Sequence, residues 1–139
     1  TIACAFAISK TMVNSGVADA VARFIIGMSH HYGPHVLLAA VFIITNLFTE
    51  LITNNAAAAL AFPLALSISS QMGVSPMPFF VVICMAASAS FSTPIGYQTN
   101  LIVQGIGNYK FTDFVRIGLP LNIITFLISI FLIPLIWPF

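Results

Sequence analysis

Charge is what this sequence has least of. Its 139 residues include four Lys or Arg and three Asp or Glu, 5% of the chain, against about 25% in an ordinary soluble domain. A soluble domain needs a polar shell, and so few charges cannot supply one. A soluble enzyme, a nucleic-acid binder and a disordered tail are excluded on that ground. The formal net charge of +1 points to no charged partner. Cysteine is nearly as scarce. Cys4 and Cys84 sit among Ala, Phe, Ile and Met and read as buried, inert thiols rather than a disulfide pair. GxSxG, HExxH and paired carboxylates are missing, so no catalytic residue is nominated and the chain is not read as an enzyme. There is no signal-peptide pattern. Thr1 lies inside an apolar run, which reads as the C-terminal part of a longer chain.

What the chain does have is apolar residues, 60% of it, with a mean hydropathy of +1.08. That composition predicts an all-α, polytopic protein with the lipid bilayer as its solvent. Four stretches follow in order. Residues 1–33 open with an apolar stub, 1–9. An amphipathic helix over 10–28 follows, carrying Lys10, Asn14, Asp19 and Arg23 and suited to the membrane interface. A turn over 29–34 ends the stretch. His30, His31 and His35 lie at or beside this turn without a nearby Cys, Asp or Glu, so they read as interfacial residues and not as a transition-metal site.

Residues 34–72 form two apolar arms around a polar tip. The first, His35 to Leu51, makes roughly 25 Å of helix at 1.5 Å per residue. Thr49, Glu50, Thr53, Asn54 and Asn55 follow closely, and then Ala56 to Ala59. Small residues allow two helices to approach, which favours a re-entrant helical hairpin over an external loop. Residues 73–107 hold Phe79–Phe91 and Leu101–Gly107, parted by a polar loop. Pro94 removes a backbone donor there and disfavours helix at Thr93. Neither piece spans a bilayer alone, so they read as one discontinuous helix. Residues 108–139 comprise a short polar linker, 108–116, and a final span from Leu119 to Trp137.

Irregular backbone inside hydrocarbon survives only where it lines a cavity or is buried in protein, because each unpaired N–H or C=O costs several kcal/mol. Broken helices of this kind build midplane sites in secondary transporters. Helix N-termini near Asn55 and Asn100 suit an anion, and the carbonyls ending the helices near Thr53 and Ser92 suit a cation. Glu50, the one carboxylate in the apolar region, is an ion ligand, a proton carrier or a structural clamp on the hairpin backbone; the clamp is favoured. The competing classes are a channel and a structural membrane subunit whose breaks are packing devices. Counting Lys10 and Arg23 against Lys110 and Arg116 leaves the membrane orientation open.

Two motifs carry a resemblance over essentially the whole chain. Thr49-Glu50-Leu51-Ile52-Thr53-Asn54-Asn55-Ala56-Ala57-Ala58 resembles the T-E-x-x-S-N-T-A-T-A hairpin of the divalent anion/sodium symporter family. Ser88 to Pro94, followed by Gly96 to Gly107, resembles that family's unwound loop. The form Thr93 to Asn100 is most similar to its sulfate-transporter-like subgroup. The resemblance implies the second inverted repeat of an elevator-type carrier, working as a homodimer in the inner membrane and crossing it many times. It implies a small anionic substrate, sulfate ahead of C4-dicarboxylate, and sodium as coupling ion with no other cofactor; coupling to protons is the alternative. By resemblance, Thr53, Asn54, Asn55, Thr93, Pro94 and Asn100 face the anion. Thr49, Asn54, Ser92 and Thr93 hold the sodium. The tip departs from the pattern in reading Thr-Asn-Asn, and the loop has extra residues, Ile95 to Thr99. Both departures fall on the substrate positions.

Overall fold

The computed structural model describes residues 2–28 and 33–139. Its helices are α1 (Ile2–Asn14), α2 (Val17–Met28), α3 (Pro34–Leu51), α4 (Asn54–Met72), α5 (Met77–Ser88), α6 (Gln98–Gly107) and α7 (Phe111–Ile136). No strand occurs among the described residues. Most of the turn expected over 29–34, with His30 and His31, lies outside them.

The first helix does not stop at Ser9. It runs through Lys10 to Asn14 and ends at the Ser15–Gly16 turn. Gly16 takes a φ of 73°, a left-handed conformation that favours glycine. The polarity of Lys10 changes the helix surface without ending the helix. A similar correction applies near the C-terminus. The expected linker 108–116 is helical from Phe111, because Asp113 Oδ2 accepts the Lys110 N–H at 2.9 Å and caps the first turn. Helix α7 therefore runs for 26 residues, about 39 Å. Among the described residues, it and α3 are the two helices long and apolar enough to cross a membrane by length and composition.

Alanine at the centre of the fold explains its close packing. Helix α4 lies against α1, α2, α3 and α5, and α7 packs on α3 and α5. Ala57, Ala61 and Ala65 of α4 are fully buried; side chains this small bring helix backbones together. Leu37, Leu38, Val41 and Phe42 of α3 meet Phe79, Val82, Ile83 and Ala86 of α5 around that spine. Asp19 of α2, itself exposed, accepts a hydrogen bond from Ser67 of α4. By contrast, no residue of α6 is buried. Cys4 and Cys84 are free and exposed, not buried as their apolar neighbours led one to expect. They lie on faces of α1 and α5 that no other described residue covers.

Gly118 sets the position of α7. A Cβ there would overlap the Phe91 carbonyl and come within 2.6 Å of Ser92 Cα. The α7 backbone thus touches the loop between α5 and α6 directly. Gly118→Ala is expected to push these apart at an overpacking cost of about 1–3 kcal/mol. The thermal midpoint of the complete protein in detergent should fall; an unchanged midpoint would show that the contact is not tight.

Candidate functional site

Two interruptions of helix meet in the folded chain. The first is short: α3 ends at Leu51, and α4 begins at Asn54. Ile52 N–H closes the end of α3 on the Phe48 carbonyl at 2.8 Å. Thr53 precedes α4 in extended conformation, with no side-chain cap. The N–H groups of the first turn of α4 are therefore without a side-chain acceptor. The second interruption is the loop 89–97 between α5 and α6. Tyr97 likewise starts α6 without a side-chain cap.

Hydrogen bonds stitch the two breaks together over some forty residues of sequence. Thr49 and Ser90 are buried. Thr49 Oγ1 donates to the Ala87 carbonyl at 2.7 Å, and Ser90 Oγ donates to the Thr49 carbonyl at 3.1 Å. Asn46 Nδ2 donates to the Ala89 carbonyl at 2.6 Å. Thr93 Oγ1 donates to the Glu50 carbonyl at 2.7 Å. Thr49 Oγ1 also lies 3.0 Å from the amide of Asn54. A hydroxyl has one proton, and Ala87 takes it at the shorter distance. Asn54 Oδ1 is the second, more distant acceptor of the same hydroxyl.

The Glu50 side chain spans the same junction. It is 9% exposed. Its Oε1 accepts the Ser92 backbone N–H at 2.9 Å and the Asn122 amide at 2.8 Å. Asn122 Nδ2 also donates to Ser92 Oγ at 2.8 Å. One side chain of α7 thereby ties the last helix to both breaks. Asn100 folds back over the loop, donating to the Ser90 and Thr93 carbonyls at 3.3 Å each.

Of the residues nominated from sequence, Thr49, Glu50, Asn54, Ser92, Thr93 and Asn100 come together in this network. Pro94 is buried in the loop beside them. Thr53 and Asn55 stand exposed at the hairpin tip, next to the network and outside it. Sequence reasoning missed Asn46, Ser90 and Asn122 as parts of the site. Asn122 had a visible signal, a lone amide in an otherwise apolar span, which is expensive in a membrane unless it has a partner. Among the described residues, no group of three His, Cys, Asp or Glu is placed to hold a metal ion.

Two clefts border the junction. One, of about 370 Å³, runs between α3 and α7 past Phe42, Asn46, Glu50, Ser92, Asn122 and Phe126. The other, of about 790 Å³, includes Asn100, Phe91, Tyr109, Asp113, Arg116 and Gly118. Arg116 thus shares a cleft with Asn100, a cation that the sequence placed far from either break.

Comparison with known proteins finds transporters. The profile of a family described as citrate transporter matches residues 1–139. An uncharacterized transporter of Escherichia coli, YfbS, is 42% identical over 135 residues, 97% of this chain and 22% of that protein. A probable sodium/sulfate cotransporter 3 of Chlamydomonas reinhardtii is 38% identical over 134 residues, 96% of this chain and 15% of that protein. A Na(+)/citrate cotransporter of Rattus norvegicus is 29% identical over 119 residues, 86% of this chain and 21% of that protein. The chain therefore spans roughly a fifth of the length of such relatives.

Proposed function

Since the chain belongs to the citrate transporter family, we propose that it is the part of a secondary active carrier that holds half of a substrate and sodium site. The carrier takes up a divalent anion, sulfate ahead of C4-dicarboxylate, driven by an inward sodium gradient. One observation carries this reading: the two breaks in helix share a single hydrogen-bonded junction. Such a junction sets uncapped helix N-termini, which attract anions, beside loop carbonyls, which attract cations. Sulfate is put first because the named sodium/sulfate cotransporters are 37–38% identical to this chain and the citrate cotransporter 29%.

The roles follow from chemistry. Thr53, Asn54 and Asn55, with the N–H groups opening α4, contact the anion. Thr93, Pro94 and Asn100 face it from the loop. Thr49, Asn54, Ser92 and Thr93 supply oxygens to the sodium. Helices α3 and α4 form a re-entrant hairpin, and α5 and α6 are the halves of one broken span. The complete carrier is a homodimer in the inner membrane, with the transport half moving as in an elevator.

Labelled-sulfate uptake by the complete protein in liposomes tests this. Accumulation that requires an inward sodium gradient is the expected result. Equilibration without accumulation would make the protein a channel. Accumulation of succinate or citrate but not sulfate would retain the carrier and correct the substrate.

A further inference from the structure

The Glu50 carboxylate is only half satisfied. Its Oε1 takes two N–H donors, but among the described residues no donor reaches Oε2. The Asn122 side chain, beside it on α7, has the same imbalance. Its nitrogen donates twice, while its buried Oδ1 has no partner among the described residues. Both unmatched atoms are acceptors, so a positively charged or donating group is what the junction lacks. Among the described residues, no Lys, Arg or His lines the cleft that Glu50, Ser92 and Asn122 border. Burying a charge without compensation is costly.

We propose that Glu50 Oε2 and Asn122 Oδ1 bind a monovalent cation, sodium, at a second locus separate from the one at Thr49 and Asn54. Hard oxygen donors and a single negative charge suit a singly charged ion better than a divalent one, which gathers several carboxylates. The proposal rests on the reading above in taking sodium as the ion, but it uses different atoms. Oε1 holds the loop in place through Ser92, and Oε2 takes the ion. Occupancy thus couples to loop geometry through one carboxylate.

Glu50→Gln is the informative variant. The amide oxygen keeps the bonds from Ser92 and Asn122, and the side chain keeps its size. The fold is retained while the charge is lost. Binding of radiolabelled sodium to the purified complete carrier should show one class of site fewer in Glu50→Gln and in Asn122→Leu, or an affinity weaker by about ten-fold. Asn54→Ala should retain that class and lose the other. This double dissociation separates the two ideas: if sulfate uptake fails but the Glu50 class is present, only the transport reading falls. Sodium binding unchanged in both Glu50→Gln and Asn122→Leu overturns the second locus. In the wild-type protein, sodium should also protect Glu50 from carbodiimide labelling by mass spectrometry. Labelling of Glu50 at the same rate with and without sodium overturns it as well, whether or not the variants fold.

Discussion

Asn54→Ala in the complete carrier is expected to lower sulfate uptake at low substrate by about ten-fold or more. The side chain stands where the hairpin turns into α4, with its amide 3.0 Å from Thr49 Oγ1. On the proposed function, alanine removes a contact to the anion and an oxygen from the sodium. A hydrogen bond to a charged partner is worth about 1.5–3 kcal/mol, and every 1.4 kcal/mol or so is ten-fold. Thr53→Ala should lower uptake to a similar degree but through the anion alone. Thr53 is exposed and makes no side-chain cap, so its loss leaves the junction intact. The two variants therefore separate by sodium dependence: the sodium concentration for half-maximal uptake rises in Asn54→Ala and stays near wild type in Thr53→Ala. Near-normal uptake in both would remove the site assignment.

Gly96→Ala should be as severe, for a steric reason. A Cβ at Gly96 would overlap both the Ser90 hydroxyl and the Thr49 carbonyl. Those are the donor and acceptor of the bond that joins the loop to the end of α3. One methyl group thus forces apart the two breaks at the point where they meet. The loop cannot yield easily, because Thr93 and Ser92 are tied to Glu50 on the same stretch. We expect sulfate uptake below about a tenth of wild type and a lower thermal midpoint, since overpacking a filled site costs about 1–3 kcal/mol. Uptake within two-fold of wild type, with an unchanged midpoint, would show that the junction is looser than the contact implies.

The glycine was visible in the sequence as part of the loop motif after Pro94, but its more specific duty was not. Nothing in the order Thr93-Pro94-Ile95-Gly96 states that residue 96 lies on the carbonyl of residue 49. Gly118 is a similar case, lying between the expected linker and the expected final span and turning out to be where α7 rests on the loop. Pair distances of this kind depend on how helices cross, and the crossing is set by packing over the whole alanine-rich spine of α4. The errors at the ends of α1 and α7 have a different origin. Hydropathy marks where side chains change solvent, whereas helix ends follow backbone capping and left-handed turns, as at Asp113 and Gly16. Both cysteines were misplaced for a third reason. Apolar neighbours signify burial only where water is the solvent, and this chain leaves long apolar faces such as that of α6 uncovered, with Ile106 84% exposed.

By itself the sequence determined three things about this protein. Its scarcity of charge decided the membrane class, because no soluble surface can be made from it. The polar runs at 49–55 and 92–100 decided where helix gives way, because proline and clustered polar side chains are tolerated in apolar protein only at such breaks. The paired motifs decided the family. Only the tertiary structure brought Glu50, Ser92, Asn100 and Asn122 to one place. These residues come from three separate segments of the chain, and hydrogen bonds over such separations arise only when a packed core holds the helices at fixed distances. The same packing decided which acceptors received donors and which, Glu50 Oε2 and Asn122 Oδ1, did not.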